Sequence, residues 1–507
     1  MSAEAGASGD DRAKRFVLIA TILGSSLAFI DGTVVSIALP SIQSELAGSV
    51  EGAQWVVNAY TLMLGALVLV GGAAGDRFGR RRIFLLGIFL FTLASLACGL
   101  APSSAFLVAA RAVQGIGAAL LVPSSLALIT ATFPRAERGR AIGSWAGFSA
   151  LTTAFGPILG GAFVDALSWR AIFFLNLPIA LATFALTYAR VPESHAEADE
   201  PAIDWLGGAL AVIGLSGIAY GLTSAATLGW RNGFVVGALL AGFLILAGFI
   251  VREARTAAPM LPLGLFRARH FAGGNVITLL LYFALGGTLF LLPFDLIRVQ
   301  GYSATEAGAA FLPFTALMGG LSRWSGGLVA RIGARLPLTV GPLIAAAGNG
   351  WLALHGAGGS YWHAVLPAML LLGLGMAIAV APLTTVVMDS VDERHAGAAS
   401  GTNNAVARIA GMLAVALLGA LAVGVFAGDL DRRLTGLAVA PEIRREIAAE
   451  VPKLAEAEVP RSVQGAERQL LERALQDSFL ASYRLAMLVA AAMAALSGVA
   501  GLLMIRA

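Results

Sequence analysis

Fourteen apolar segments of membrane-spanning length, separated mostly by short polar loops, run along this chain of 507 residues. An α-helix needs about 20 apolar residues to cross the hydrocarbon core of a bilayer. Because that core holds no water to satisfy an open strand edge, each span is predicted to be a helix. The sequence is therefore typical of an all-α polytopic membrane protein. The predicted spans are 16–39, 54–75, 83–101, 104–131, 141–164, 171–190, 204–225, 233–251, 271–297, 304–330, 336–356, 361–388, 401–426 and 480–505.

The composition argues against several other classes of protein. Hydrophobic residues make up 58% of the chain and charged residues only 13%, whereas charged residues form about 25% of a typical soluble domain. The net charge of +4 does not indicate nucleic-acid binding, because the basic residues lie in short loops between apolar segments. Cys98 is the only cysteine, and the five histidines show no metal-ligand spacing. No metal or other cofactor is expected, and no nucleophile–base set or phosphate loop indicates an enzyme.

The arginines and lysines predict the orientation. With the N-terminus in the cytoplasm, 19 basic residues fall on the cytoplasmic side, and the short outer loops hold only Arg170, Arg231 and Arg298. This positive-inside bias predicts that both termini are cytoplasmic. Segment 427–479 then lies outside, where its mixed charge is typical of a solvated cap with helical patches such as 467–476. The 19 residues are Arg12, Lys14, Arg15, Arg77, Arg80, Arg81, Arg82, Arg135, Arg138, Arg140, Arg190, Arg252, Arg255, Arg267, Arg269, Arg331, Arg335, Arg394 and Arg506.

A carboxylate and a guanidinium lie inside the predicted spans of the first half. Asp31 is well away from either end of span 16–39, and Arg111 lies in span 104–131. An ionised side chain in hydrocarbon costs at least about 2.5–3.5 kcal/mol, so each must face a cavity, a carbonyl group or a partner of opposite charge. Asp31 is either a site for a proton or ligand or a structural carboxylate paired with a fixed base. Arg111 has the alternative of being a structural anchor for helix ends.

A repeated loop motif indicates two duplicated halves. Four loop residues recur 254 positions later in the chain, which places the repeat after the second helix of each of two six-helix sets. Its glycines allow a tight turn, as a hinge requires. Asp76 has no counterpart, because Ala330 takes its place, so a charge-based latch is expected mainly in the first half. The matched pairs are Gly72 with Gly326, Arg77 with Arg331, Gly79 with Gly333, and Arg81 with Arg335.

Together these motifs make the chain resemble a transporter of the major facilitator superfamily, specifically the fourteen-helix drug:proton antiporter family. The resemblance implies a first six-helix bundle over 1–195, two inserted helices over 196–265, and a second six-helix bundle over 266–507 that contains the outer segment 427–479. The residues that carry it are Asp31, Thr33, Leu39, Pro40, Gly72, Asp76, Arg77, Gly79, Arg80, Arg111, Gln114, Gly115, Gly117, Gly156, Pro157, Gly160, Gly161, Trp169, Arg170, Asn176, Pro178, Gly301, Tyr302, Ser303, Asn404 and Arg408.

The resemblance also implies a function, which is proton-coupled efflux of hydrophobic, often cationic, small molecules across the cytoplasmic membrane by a monomer. It implies proton coupling by Asp31 and Arg111. It implies a gating loop formed by Gly72, Asp76, Arg77, Gly79, Arg80 and Arg81. In the family, the motif Gly156, Pro157, Gly160 and Gly161 marks exporters, although a plain packing kink is the structural alternative. Candidate substrate contacts are Trp55, Tyr60, Gln114 and Asn404.

Several alternatives remain at this stage. Trp55 and Tyr60 are also typical of membrane interfaces, which favour aromatic residues. Asp295, near the outer end of span 271–297, is either an exposed interfacial charge or part of an acidic vestibule that attracts cations. The exported molecule is alternatively a lipid or another amphiphile. A membrane sensor that transports nothing is the most distant alternative, because it needs neither paired repeats nor charges inside the membrane.

Overall fold

The computed structural model of the chain describes residues 2–195, 203–256, 259–354, 360–391, 396–437 and 439–506. Every regular element in these ranges is helical, which confirms the all-α prediction. The start of the predicted insertion (196–202), the end of predicted span 336–356 and Arg394 lie outside the described residues.

The first half of the chain forms a series of long helices joined by short turns. A five-residue π-helical turn, Gln43–Ala47, follows the first helix. The helices are α1 (Ser2–Ile42), α2 (Val50–Phe78), α3 (Arg80–Gly99), α4 (Ser104–Thr132), α5 (Arg135–Ala166), α6 (Ala171–Phe174), α7 (Asn176–Arg190), α8 (Trp205–Leu228) and α9 (Gly233–Arg255).

The second half repeats this arrangement with more interruptions. A 3₁₀ turn at Leu263–Arg267 and a π-helical turn at Asp295–Val299 flank its first long helix. The helices are α10 (Arg269–Phe294), α11 (Ala304–Ala309), α12 (Leu312–Gly326), α13 (Leu328–Ile332), α14 (Arg335–Leu354), α15 (Tyr361–Ala364), α16 (Leu366–Asp389), α17 (Ala396–Thr435), α18 (Pro441–Glu450) and α19 (Gly465–Met504).

Twelve helices of the described residues are long and apolar enough to cross a membrane. The chain is thus a multi-pass membrane protein. Two predicted spans are not among the twelve. Span 141–164 lies within the single helix α5 (Arg135–Ala166). Span 304–330 is divided among α11, α12 and α13, and Pro313 in the first turn of α12 lacks the backbone donor that would continue a helix.

The repeated loop forms the same turn in both halves. Gly79 separates α2 from α3 with φ of +107°, and Gly333 separates α13 from α14 with φ of +73°. Only glycine adopts such angles readily, so the two equivalent glycines end the preceding helices. The tight turn predicted from the repeat is confirmed in both halves.

Close contacts between helices rest on small residues. In the first half, a Cβ at Gly71 would lie 2.0 Å from the carbonyl oxygen of Ala119, so α2 and α4 touch backbone to backbone. In the second half, a Cβ at Gly341 would lie 2.8 Å from the carbonyl oxygen of Gly375, which joins α14 to α16. Small residues at helix crossings let van der Waals contact replace the hydrophobic effect, which is weak between helices inside a bilayer.

Helices α8 and α9 form a hairpin that packs against α2 and α17. Asp204 ties the hairpin together at one end. Its carboxylate accepts a hydrogen bond from the backbone N–H of Gly207 at 2.8 Å and from Nη2 of Arg252 at 2.7 Å. The hydrogen bonds from Arg252 lower the pKa of Asp204 below its usual value, so this carboxylate stays ionised at neutral pH.

The two ends of the molecule differ. We call the end that carries Arg77–Arg82 and Arg331–Arg335 the basic end, and the opposite end the far end. At the far end α5 and α11 are in tight contact, because a Cβ at Gly161 would lie 2.2 Å from the carbonyl oxygen of Ala304. Towards the basic end, Gly147 of α5 and Gly319 of α12 have no neighbouring atom within 4 Å of a Cβ position. The contact surface of α5 with α11 and α12, one seam between the halves, is therefore closed at the far end.

A second seam, between α2 and α17, joins the halves along much of its length. Near the far end, Nε2 of Gln54 donates a hydrogen bond to the carbonyl oxygen of Val415 at 2.6 Å. Near the basic end, a Cβ at Gly401 would lie 2.5 Å from a methyl group of Leu69. The halves thus meet continuously on one side and only at the far end on the other.

The predicted outer segment 427–479 contains the ends of two long helices. Helix α17 continues to Thr435 and α19 begins at Gly465, which leaves residues 436–464 between them, of which 439–464, described without a gap, are called the cap. The patch 467–476 lies within α19. The cap packs against the helices rather than extending into solvent, because four of its apolar side chains are buried: Ile447, Leu454, Val459 and Val463.

The cap contacts both halves. Nε2 of Gln43 donates a hydrogen bond to the carbonyl oxygen of Lys453 at 2.8 Å, and Arg298 forms an ion pair with Glu456. Burial raises the pKa of Glu456, although the charge of Arg298 opposes this effect.

Candidate functional site

The two charged residues predicted inside the membrane form a buried ion pair. Nη1 of Arg111, on α4, donates a hydrogen bond to Oδ2 of Asp31, on α1, at 2.5 Å. Asp31 is 3% exposed and Arg111 is 1% exposed. Two opposite charges in direct contact satisfy the requirement that an intramembrane charge be paired. The sequence indicated both residues but not their separation.

Two amide side chains complete the surroundings of the carboxylate. Nε2 of Gln114 donates to Oδ1 of Asp31 at 2.8 Å, and Nδ2 of Asn176 lies 3.4 Å from the same oxygen. Asn176 also donates to Oγ of Ser95 at 3.0 Å, and Ser95 donates to the carbonyl oxygen of Phe173 at 2.9 Å. Helices α1, α3, α4 and α7 therefore each contribute a polar group to one network within the first half.

The guanidinium of Arg111 is held on all sides. Its Nε donates to the carbonyl oxygen of Val56 at 3.1 Å, and its Nη1 also donates to Oε1 of Gln114 at 2.8 Å. Its central carbon lies 4.3 Å from the centre of the Tyr60 ring, a cation–π contact. Tyr60 and Gln114, which are also candidate substrate contacts, are 2% and 0% exposed and contact the ion pair.

Chemically, this site holds one negative charge that a proton can neutralise. Removing one partner of a buried ion pair leaves an uncompensated charge and costs about 3–5 kcal/mol. A proton on Asp31 has the same effect on the attraction, because Arg111 then loses its anionic partner.

The gating loop is anchored within its own half. Asp76 accepts hydrogen bonds from Nε and Nη2 of Arg80, both at 2.7 Å, one helical turn away. Arg77 lies over the ring of Phe78 at 5.9 Å. Gly72, the first glycine of the motif, has Pro123 as its nearest neighbour at a Cβ position. Among the described residues, no acidic or basic side chain of the second half pairs with Asp76.

Equivalent arginines of the two loops donate hydrogen bonds to backbone carbonyl groups at equivalent positions of the two halves. Nη2 of Arg81 donates to the carbonyl oxygen of Tyr188, near the end of α7, at 2.5 Å. Nε of Arg335 donates to the carbonyl oxygen of Leu502, near the end of α19, at 3.0 Å. Each arginine thus ties its loop to the last long helix of its own half, as duplicated halves require.

The motif on α5 contacts two other helices. A Cβ at Gly156 would lie 2.1 Å from Oγ1 of Thr33, and one at Gly160 would lie 3.0 Å from Val34, so α5 packs closely on α1. Gly161 faces Ala304, as described above. A Cβ at Gly308 would lie 2.1 Å from the carbonyl oxygen of Pro157. The four motif residues therefore pack α5 against α1 of the same half and α11 of the other half.

The remaining candidates lie apart from this network. Trp55 packs against Tyr220 of the α8–α9 hairpin, with 6.5 Å between ring centres. Asn404 is exposed, and its amide donates to the carbonyl oxygen of Ser400 in its own helix at 3.1 Å.

Asp295 is 4% exposed and accepts a hydrogen bond from Gln300 at 2.6 Å. Its burial at the end of α10 differs from the exposed interfacial charge that was one alternative, whereas the acidic vestibule stays a prediction. In the described ranges no cluster of three or more His, Cys, Asp or Glu side chains has the geometry of a metal site.

Sequence reasoning missed one residue that joins the halves. Asp165, at the end of α5, accepts hydrogen bonds from the backbone N–H groups of Ala304 and Thr305 at the start of α11. The sequence does indicate the start of α11, because Ser303 and Glu306 have the spacing of a capping box and form one. Nothing in the sequence indicates that a carboxylate from another helix caps the same turn.

The duplicated helical halves and the ion pair buried between helices define a multi-pass membrane transporter rather than an enzyme. The chain belongs to the Major Facilitator Superfamily, whose sequence profile matches residues 21–208 and 205–415.

Relatives of known name cover nearly the whole chain. The multidrug resistance protein Stp of Mycobacterium tuberculosis is 35% identical over 499 residues, which is 97% of this chain and 92% of that protein. The tetracenomycin C resistance and export protein of Streptomyces glaucescens is 34% identical over 485 residues, which is 94% of this chain and 89% of that protein.

Solved structures share the fold. A bacterial homologue of the human lysosomal transporter Spinster aligns with a TM-score of 0.67 and 19% identity over 97% of this chain and 98% of that chain. A D-xylose–proton symporter aligns with a TM-score of 0.60 and 14% identity over the same shares. Both likenesses concern the fold alone.

Proposed function

We propose that this chain is a proton-coupled exporter of hydrophobic small molecules, including cationic drugs, of the fourteen-helix antiporter type. The observation that carries the proposal is the buried pair of Asp31 and Arg111, a titratable carboxylate held by a cation inside one half of a two-part transporter. The names of relatives that resist or export antibiotics support the choice of efflux. The motif on α5 supports the antiporter type.

The proposed coupling begins at Asp31. A proton that reaches the carboxylate displaces Arg111 from it, and the freed guanidinium keeps only its contacts with Val56, Gln114 and Tyr60. Loss of the proton restores the pair. Because Asp31, Arg111 and Tyr60 are all buried, substrate acts on the pair through the conformational change rather than by touching it. A proton and a substrate need only differ in their affinity for two conformations to drive the exchange.

The proposed conformational change uses the two seams unequally. The seam of α2 and α17 stays in contact and serves as the hinge, whereas the seam of α5 and α11 parts at the far end to release substrate. The α8–α9 hairpin packs against α2 and α17 and lies outside the moving core. The gating loop at the basic end then stabilises the state that is open at the far end.

The proposed location is the cytoplasmic membrane, with both termini and the basic end in the cytoplasm and the cap outside. The working unit is proposed to be a monomer of two six-helix bundles (1–195 and 266–507) with an inserted pair of helices (196–265). The substrates, protons and the bilayer are its only proposed partners.

Export of a lipid or another amphiphile is a second candidate. One observation favours it, an apolar groove of about 310 Å³ on the outward-facing side of α17 and α19, lined by Trp230, Leu417, Leu421 and Val489 among others. An acyl chain fits such a surface. A drug exporter needs no such groove.

Transport by the purified protein in liposomes tests the proposal. An imposed pH gradient should drive ethidium against its concentration gradient, and a protonophore should abolish the effect. Asp31→Asn should lose the response while inserting normally. Uphill transport that persists in Asp31→Asn would place the coupling elsewhere, and transport of a fluorescent phospholipid without ethidium would favour the second candidate.

A further inference from the structure

A second arginine lies inside the membrane-spanning part of the chain without an acidic partner. Arg408 belongs to α17 and is partly exposed. In contrast to Arg111, it forms no hydrogen bond or ion pair with any residue that the structure describes. A guanidinium at such a depth is stable only beside an acid, carbonyl groups or a water-filled cavity. No acid or carbonyl group of the described residues binds Arg408, so a water-filled cavity is the condition that applies to it.

Arg408 lies at the seam between the halves. Its Cβ would be 3.1 Å from a Cβ at Gly65 of α2, so the absence of a side chain on Gly65 makes room for it. Arg408 is therefore at the contact between α2 of the first half and α17 of the second half.

A polar neighbour extends this surface towards the basic end. Asn404 lies one turn before Arg408 on the same face of α17 and is exposed. Its amide hydrogen bond runs to Ser400 of its own helix, so its side-chain oxygen and second N–H stay available. The basic end is the end at which the other seam is not shut, so these two residues face the side from which substrate is proposed to enter.

The charges near this seam are unbalanced. Asp31 is neutralised by Arg111, and Asp295 is buried in the second half with Gln300. An anion that binds Arg408 therefore meets an unpaired cation rather than competing with a protein carboxylate. Guanidinium and carboxylate groups form strong, often bidentate hydrogen bonds.

We propose that Arg408 is a specificity-determining residue that binds an acidic group, a carboxylate or an ionised phenol, of a hydrophobic substrate. The proposal rests on the exporter function proposed above and adds a substrate class to it.

Equilibrium binding to the full-length protein in lipid nanodiscs, without any gradient, tests the proposal. The probes are anthracene-9-carboxylate and anthracene-9-carboxamide, which share a shape and differ in charge. The wild type should bind the carboxylate about tenfold more tightly than the amide, a difference of about 1.4 kcal/mol. Arg408→Gln should reduce this preference to about twofold or less, whereas Arg408→Lys, which keeps the charge, should retain part of it.

Arg484→Gln is the matched control, because Arg484 is an exposed arginine on α19, away from the seam. It should leave the preference unchanged. An equal preference in the wild type and Arg408→Gln would overturn the proposal, and so would the absence of any preference in the wild type. Because this experiment measures binding and not transport, its failure would not contradict proton-driven export. Failure of gradient-driven transport would likewise not change the interpretation of the binding result.

Discussion

Asp165 and Thr305 join the two halves of the transporter at its far end. Oδ2 of Asp165 accepts hydrogen bonds from the backbone N–H of Thr305 at 2.8 Å and from its hydroxyl at 2.5 Å, and Oδ1 accepts one from the N–H of Ala304 at 3.1 Å. The first N–H groups of a helix have no partner within the helix. A residue of the first half therefore satisfies donors that would otherwise need water.

Removing this contact should favour separation at the far end. A helix cap contributes about 0.5–2 kcal/mol, and 1–2 kcal/mol changes an equilibrium about 5–30-fold. Asp165→Ala should therefore increase the reactivity of a cysteine introduced at Ser303 towards a membrane-impermeant thiol reagent. Glu306→Ala is the control, because Glu306 caps the same helix within its own half. Equal increases in both variants would contradict a role of Asp165 in closure.

The buried ion pair should show strong coupling in a double-mutant cycle. Arg111→Gln leaves Asp31 buried without its cation, which should lower the stability of the purified protein by about 3–5 kcal/mol. The double variant Asp31→Asn, Arg111→Gln has no buried charge and should regain at least half of that loss. It should nevertheless fail to respond to a pH gradient. Additive losses of stability, measured by thermal unfolding in detergent, would show that the residues act independently.

The two gating loops should differ in importance. Asp76 and Arg80 are 27% and 17% exposed, and such a pair contributes only about 0–1 kcal/mol. Asp76→Asn should therefore reduce transport while thermal stability stays near the wild-type value. Arg331→Ala should reduce transport less, because Ala330 replaces the carboxylate in that loop. Equal losses of initial transport rate in Asp76→Asn and Arg331→Ala would contradict the predicted difference between the two loops.

Asp295 offers a test of the vestibule hypothesis. Its carboxylate has one amide donor, Gln300, and no cationic partner among the described side chains, so its charge is poorly compensated. Asp295→Asn keeps an acceptor for Gln300 and should raise the unfolding temperature. Transport of monovalent and divalent cations should change in parallel. A selective loss of divalent-cation transport would support the vestibule hypothesis, although Asp295 is buried.

Cysteine labelling tests the orientation. Ser462 is exposed in the cap, and Arg140 is exposed at the basic end. In a Cys98→Ser background, Ser462→Cys should react with an impermeant thiol reagent in intact cells, and Arg140→Cys only after permeabilisation. Serine suits position 98 because the thiol of Cys98 donates a hydrogen bond to Gln114. The reverse pattern would invert the topology.

The sequence predicted local features well and contacts between helices poorly. The helices follow from apolar length, and the turns at Gly79 and Gly333 follow from the repeat, because both depend on neighbouring residues. Asp31 and Arg111 are 80 positions apart, so nothing local encodes their contact.

Burial was not predictable from the sequence either. Tyr60, Gln114 and Asp295 each stand in an apolar segment, where exposure to a cavity and burial in a helix bundle leave the same pattern. Asp165 was missed because its partners are backbone N–H groups. Almost every residue has such a group, so no sequence pattern marks the contact.

The cap has a consequence for inhibition. It continues directly into α17 and α19 and is paired with Arg298, all of the second half, whereas the hydrogen bond from Gln43 is its polar link to the first. Opening of the far end, as proposed above, slides the cap across Gln43. In the proposed orientation, an antibody fragment or macrocycle bound at this junction would stop the cycle from outside the cell. Since it would never occupy the export route, the transporter would be unable to pump its own inhibitor away.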